Sequence, residues 1–401
     1  MLRSLFSGIS GLRAHQTMLD VTGNNIANVN TAGFKASQVQ FQDTLSQALT
    51  NAGAPQDGAG GTNPAQVGLG VKVAGITTNF QQGAAQLTNR ATDMMISGDG
   101  FFVVNKGGEQ FYSRAGAFTF DALGQLVTPD GALVQGWSAD ATGNVDLNGP
   151  LNDLRLPVSA LMGASGSSSA TYEGNLPADA EEGTVLNRQI DVFTANGDSH
   201  AMNVAFTRTA TGWDISASVA GTGATQTGSI SFTSEGAIDV LDFAPLPADA
   251  ALGLSAITVD LSALTGFAGV ESVAAASQDG RAAGTLQAFS INSDGTLMGS
   301  FSNGLKQAIG RVALASFSNP SGLEKAGASL LAATVNSGAA QVGAAGTGGR
   351  GALAGGSLEM SNVDLSAEFT NLIVAQRGFQ ANSRVITTSD ELLQELVNLK
   401  R

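Results

Sequence analysis

Both ends of this chain carry apolar residues at helical spacing, and nearly everything between them is punctuated at the intervals of short strands and turns. Leu2, Leu5, Ile9, Leu12, Gln16, Leu19, Gly23 and Ile26 step by three and four, the spacing of a helical seam. Leu365, Phe369, Leu372, Gln376, Phe379, Ser383, Ile386, Asp390, Leu393 and Val397 repeat the device at the other end. Ser361 followed by Asp364 reads as an imperfect helix start. A helix over 362–399 extends ~57 Å at ~1.5 Å per residue, so its stripe has to pair with the N-terminal helix, with other molecules, or with both. Two isolated helices bury only one face each. The small, weakly charged residues Ser7, Ser10, Ala14 and Thr17 on the outer face leave room for further neighbours.

Between the helices, turn pairs recur at Asp99-Gly100, Gly107-Gly108, Asp130-Gly131, Asn196-Gly197, Asp279-Gly280, Asp294-Gly295 and Asn303-Gly304. Alternating segments such as Ala201 to Phe206 lie between them, which predicts hairpins in sandwich- or barrel-like domains. Residues 51–70 are rich in Gly, Ala, Asn and Pro without periodicity and read as an extended arm; 338–356 read as a second linker. Because the helices must meet while the strands lie between them, the simplest architecture is nested and discontinuous. The fold class is therefore multidomain and mainly β, with long N- and C-terminal α-helices forming a coiled coil.

The chemistry available is sparse. The chain has no Cys and two His, His15 and His200, and charged residues make up 13% of it, which excludes thiol chemistry and disfavours the usual zinc sets. The net charge of −14 argues against nucleic-acid binding. From Asp146 to Arg281 there are 16 acidic and 4 basic residues, and outside that stretch 17 and 15, so the middle is acidic and the ends are nearly neutral. No apolar run reaches the ~18 residues of a membrane span, and Arg13 interrupts any signal-like core near the start. Gly346-Thr347-Gly348-Gly349-Arg350-Gly351 satisfies a dinucleotide fingerprint formally, but no hydrophobic strand precedes it and no helix follows. His15 reads as an interhelical or surface hydrogen bonder, His200 as exposed, and the scattered carboxylates as a solvated surface. No catalytic, cofactor or metal site is expected.

One segment stands apart. Gly23 to Lys35 packs four Asn and two Gly behind a good helix. Asn side chains cap backbone groups, Gly33 can turn the chain, and Phe34 offers an anchor beyond the turn. With Asn24, Asn25, Asn28, Thr31, Gly33, Phe34 and Lys35 in place, the pattern resembles the N-terminal signature of bacterial flagellar axial proteins, the rod and hook family. Ile96 to Val104 and Tyr112 to Phe118 are similar to that family's β-domain signature, and Val374 to Arg384 to its C-terminal helix. Read without the resemblance, these stretches are two hairpins, with Phe101 and Phe102 pointing to opposite faces and only one certain to meet the core. Val192 to His200 followed by Gly212-Trp213 is similar to the outer domain of hook proteins; Ala195-Asn196 and the Ala- and Gly-rich interior depart from the common form.

The resemblance implies a helical domain from 1–35 and 360–401, a linker or arm over 36–70, an inner β domain from 71–145 and 285–359, and an outer acidic one over 146–284. It implies a structural, non-enzymatic subunit assembling with itself into the curved, flexible hook, a universal joint around the export channel. The expected partners are further copies, the rod protein, the hook cap, the hook–filament junction protein and the export apparatus. The expected location is extracellular, after export without a cleaved signal. The seam would run through Leu5, Ile9, Leu12, Leu19, Ile26, Leu365, Phe369, Leu372, Phe379, Ile386, Leu393 and Val397. The alternatives are a distal rod protein, expected to lack the 146–284 insert, and a β-rich extracellular binding module, for which two Trp and two Tyr are few.

Overall fold

The computed structural model describes residues 2–54, 60–156, 161–221, 223–250 and 252–398. The chain divides into two compact units, one from 1–156, 290–298 and 308–401, the other from 157–289 and 299–307.

The first unit holds both helices, α1 (Leu2–Ala27) and α2 (Leu365–Asn398). They pack antiparallel: Gly8 lies against Asn382 and Ile386, Gly11 against Asn382, His15 against Gly378, and Asn25 bonds Glu368. Asp364 begins α2, its Oδ1 accepting from the amides of Ser366 (2.8 Å) and Ala367 (3.2 Å). The helix thus starts three residues later than the Ser361–Asp364 pair predicts, and Ser361 instead bonds Val363. Neither helix is long and apolar enough to cross a membrane.

Residues 36–70, expected as an extended linker or arm, contain paired strands. β1 (Ser37–Asp43) pairs with β4 (Val71–Thr78), and β2 (Ser46–Thr50) with β3 (Ala65–Gly68), so the segment is a two-stranded ribbon. Among the described residues nothing covers the far part of it, and every residue of β2 and β3 is exposed. Without a buried face there is no alternation for the sequence to show. Residues 55–59, inside the expected arm, lie outside the described residues.

Beyond the ribbon, strands Phe101–Lys106 and Glu109–Ser113 form a hairpin, and Leu133–Ser138 and Lys306–Ser316 extend its sheet. Both faces of this sheet are covered. Phe102, Val104, Val312 and Leu314 enter one core with Met94, Ile96 and Phe118, while Phe101, Val103, Ala313 and Ala315 enter another with Tyr112, Trp137 and Phe317. Both phenylalanines are therefore buried. Residues 146–156, expected in the outer domain, belong here, because Leu154 lies in the first core and Trp137 Nε1 donates to the Gly149 carbonyl at 3.2 Å.

The second unit is built on one core of two sheets. Strands Val185–Phe193, Ser199–Arg208, Trp213–Val219, Thr225–Phe232 and Ile238–Asp242 form an antiparallel meander in chain order. Strand Ser169–Asn175 pairs in parallel with Thr258–Thr265 and antiparallel with Ala274–Gln278. The parallel pairing is possible because the whole meander is inserted between its two strands. Tyr172, Met202, Phe206, Trp213, Ile215, Ile230 and Leu246 fill the core. His200, expected to be exposed, is half-buried opposite Val192 in the first hairpin.

Candidate functional site

The asparagine-rich segment closes α1 and ties it to three distant parts of the chain. Asn28 Nδ2 donates to the Asn24 carbonyl at 2.9 Å and to Asn24 Oδ1 at 2.6 Å, and Thr31 Oγ1 donates to Asn28 Oδ1 at 3.0 Å. These side-chain bonds reinforce the last turn of the helix, where the Asn24 carbonyl also accepts from the Asn28 amide at 3.1 Å. Asn25 is buried and acts across elements: its Nδ2 donates to the Ser37 carbonyl (2.7 Å) and to Glu368 Oε1 (2.9 Å), and its Oδ1 accepts from the Ser37 amide (3.0 Å). One amide side chain thereby joins the end of α1, the root of β1 and the first turn of α2.

Gly33 has φ +70°, and a Cβ there would lie 2.5 Å from the Ala115 backbone nitrogen. Only glycine fits both the conformation and the contact. Its amide donates to the Glu359 carbonyl at 2.7 Å. Phe34 is half-buried beneath Lys325, whose Nζ stands 5.2 Å from the ring centroid.

Lys35 leads into the buried centre of the site. Its Nζ lies 2.6 Å from Glu359 Oε1 and donates to the Gln81 carbonyl at 2.6 Å. Arg114 Nε lies 2.7 Å from Glu359 Oε2, and the Arg114 guanidinium also donates to the carbonyls of Gly98 and Gly100. Glu359 Oε1 accepts from the Gly83 amide as well, at 2.8 Å. Burial by itself pushes the Glu359 carboxyl up. The Arg114 charge and the hydrogen bonds from Lys35, Gly83 and Arg114 outweigh it and hold the group below the usual carboxylate range. Asn362 completes the junction, accepting from the Ala36 amide at 2.8 Å and donating to the carbonyls of Asn79 and Gln81. The motif is thus a polar clamp, and its atoms hold backbone segments together.

Sequence reasoning missed Glu359 and the part played by Arg114, whose links span 324 and 245 residues. The available signal was one acidic residue, Glu359, standing alone in an otherwise uncharged stretch from Gly351 to Val363.

The helix pair closes along a line other than the apolar stripe. Its buried positions are Gly8, Gly11, Ala14, Thr22 and Asn25 on α1, and Ala375 and Ser389 on α2. A Cβ on Gly378 would sit 2.5 Å from His15 Nε2, and one on Gly11 would sit 2.8 Å from the Asn382 amide. Small residues let the backbones approach closely. Leu5, Leu12, Leu19, Ile26, Leu372, Phe379, Ile386 and Leu393 flank that line half-buried, whereas Ile9, Leu365, Phe369 (52% exposed) and Val397 (68%) face outward. Phe6, Ile373, Val374 and Leu392 are exposed as well. His15 does not make the hydrogen bond expected of it at Nδ1, which is buried without a partner; its ring packs edge-on to Phe41 at 5.9 Å.

Four family models match these segments in order. "Flagella basal body rod protein" covers 5–35, "Flagellar hook protein FlgE/F/G D1 domain" 95–185, "Flagellar basal body protein FlaE D2 domain" 164–281, and "Flagellar basal body rod FlgEFG protein C-terminal" 354–399. The chain is 40% identical over 444 residues to the flagellar hook protein of Borreliella burgdorferi, with all of both chains covered. It belongs to the bacterial flagellar hook protein family. The hook protein of Salmonella typhimurium is 36% identical, with 99% of this chain and 100% of that one covered. A Bacillus subtilis rod protein, 35% identical over 402 residues, also aligns over the full length of both chains. The hook proteins of B. burgdorferi and S. typhimurium match at higher identity than that rod protein, and the chain is a structural subunit of the flagellar hook and basal body.

Proposed function

We propose that this subunit polymerises through its terminal helices into a curved, flexible tube that passes torque from rod to filament and encloses the export channel. The observation that carries the reading is the division of labour on the helix pair. Small and polar residues close it internally, while Phe6, Ile9, Phe369, Ile373, Leu392 and Val397 stay open to solvent. Exposed apolar side chains in such number on one helix pair mark an association surface. The seam between copies would include Ile9, Leu365, Phe369 and Val397. The half-buried set from Leu5 to Leu393 would support it from behind.

The acidic second unit supports a compliant rim, since like-charged neighbours make polar, water-mediated contacts that can change as the tube bends. The ribbon would order on, and link, neighbouring copies. Export in unfolded form without a cleaved signal fits a chain free of Cys. Rod, cap and junction proteins are the neighbours this position implies.

The test is electron microscopy after salt-induced polymerisation. Full-length protein should give curved tubes, and Phe369→Asp or removal of 1–35 and 360–401 should give none while the β units stay folded. Normal tubes from Phe369→Asp would refute the seam, and straight rods from the unaltered chain would favour the rod reading.

A further inference from the structure

The ribbon ends in apolar side chains that nothing covers. Leu45 is 83% exposed and Leu49 58%, and β2 and β3 pair only with each other among the described residues. A lone two-stranded ribbon is marginal in water, so this one needs a surface to lie on.

A surface of the matching character lies in the same unit, at the other end of the helix pair. Phe34, Phe80, Leu330 and Leu331 line a groove of about 360 Å³ beside the asparagine motif. Its wall is the turn between strands Glu324–Gly327 and Leu330–Ala332. There Ala328 (φ +50°) and Ser329 (φ +60°) both hold left-handed backbone conformations, which residues with a Cβ adopt only against a steric cost. Hairpin turns of this kind normally use Asn-Gly. Strain of this sort is held where the surrounding structure uses the shape, and the small side chains leave the mouth of the groove open.

Charge and direction select the occupant. The one cation at the rim with an exposed side chain is Lys325, bonded to Ser37 Oγ at 2.9 Å, and it disfavours a basic visitor. The ribbon from Thr44 to Gly70 contains no Lys or Arg and a single acid, Asp57. A chain's own ribbon runs the wrong way to reach its own groove. Its root, Ser37, sits at Asn25, but by Val71 it lies on Ser10, whose Oγ accepts from the Val71 amide at 3.2 Å. That is ~22 Å back along α1 at ~1.5 Å per residue, and β2 and β3 continue beyond it.

We infer that the Leu45–Leu49 part of the ribbon of one copy lies in the Phe34–Leu331 groove of a second copy, head to tail. The inference rests on the assembly reading above and names the receiving surface for its arm. Two different patches on one molecule make a heterologous contact, which propagates as an open polymer.

The chain has no cysteine, so paired single-cysteine variants test the contact directly. Leu49→Cys and Ala328→Cys chains are mixed, polymerised and treated with a flexible bismaleimide, which relaxes the strict geometry of a disulfide. Leu45→Cys with Ala328→Cys gives a second pair, and Leu49→Cys with Leu241→Cys of the other unit serves as control. The expected result is a covalent dimer from the first two mixtures, only after polymerisation, and none from either variant alone or from the control. Tubes that form without cross-linked dimer from either pair, or with equal dimer in the control, overturn the inference and leave the assembly reading standing. If the unaltered chain forms no polymer, the assembly reading fails and this inference fails with it.

Discussion

Replacing Glu359 by Gln removes the one anion between two buried cations. In the folded protein Glu359 faces Lys35 at 2.6 Å and Arg114 at 2.7 Å, with side chains 1%, 5% and 6% exposed. Removing one member of a buried ionic group costs about 3 to 5 kcal/mol, because the charge left behind is unpaired rather than because the pair was worth that much. Arg114 keeps the carbonyls of Gly98 and Gly100 and Lys35 keeps that of Gln81, so the lower figure applies, about 3 kcal/mol. With a urea slope of ~3 kcal/mol/M this moves the midpoint by ~1 M. The chain's two tryptophans separate the response: Trp137 lies in the first unit and Trp213 in the core of the second. Urea titration of monomers, with Trp213→Phe or Trp137→Phe as background, should show the Trp137 transition falling and the Trp213 transition unmoved. The effect has a pH sign. Because the folded pKa is depressed below the unfolded value of about 4.3, the contribution is complete above that value and is lost as pH falls through the folded one. The difference between the unaltered and Glu359→Gln chains should therefore shrink in acid. A shift under ~0.5 kcal/mol at pH 7, the size of an ordinary surface substitution, or an equal shift in both transitions, refutes the buried-clamp argument.

Gly378→Ala sets propensity against packing: helix propensity alone adds about 1 kcal/mol, but the new Cβ meets His15 at 2.5 Å, so helicity by circular dichroism and thermal midpoint should both fall. A rise in midpoint would show that the helices are not in close contact there. Gly33→Ala, with φ +70° and a backbone nitrogen at 2.5 Å, should destabilise the first unit by at least ~1 to 2 kcal/mol, read on the Trp137 transition. In the second unit, burial is the largest single influence on Asp279 and pushes it up, but the hydrogen bonds from Ser168 and Ser169 together outweigh it and hold the carboxyl down at about 2. Its contribution is present above the unfolded carboxylate pKa and lost as pH falls toward 2, so Asp279→Asn should flatten the acid side of the Trp213 transition by a small amount; an unchanged acid limb would count against those bonds.

The helical ends were legible because periodicity survives without context, and the inner hairpins because Gly107-Gly108 and the apolar run Phe101 to Val104 before it are local signals. What the stripe does was not legible from spacing. Apolar residues at three- and four-residue steps say that a face is buried against something, but Gly8, Gly11, Ala14 and Ala375 win the intramolecular contact because they allow closer approach. The ribbon was hidden for the opposite reason: β2 and β3 bury nothing, so pairing there is a backbone matter that leaves no trace in side-chain pattern. The motif itself was legible as a helix stop. Its link to Glu359 was not, since nothing local in Leu358-Glu359-Met360 points to Lys35 or Arg114.

The two surfaces of the helix pair also bear on how assembly and folding are ordered. A helix of α2's length gains most of its stability from packing rather than propensity, and along its line of closest approach it meets glycine, alanine and polar side chains, with the flanking apolar residues only half-buried. The clamp compensates at one end only: Asn25 holds Glu368 and Asp364 caps the first turn, whereas at the far end of the pair Phe6 of α1 and Val397 of α2 are open to solvent. Stability along the pair should therefore fall from the asparagine junction toward the chain termini. A gradient of that kind lets a monomer keep its β units and the clamped end of its helices formed while the distal ends wait for neighbours, so that burying the open face on assembly completes the helices and sets the polymer's strength in the same step.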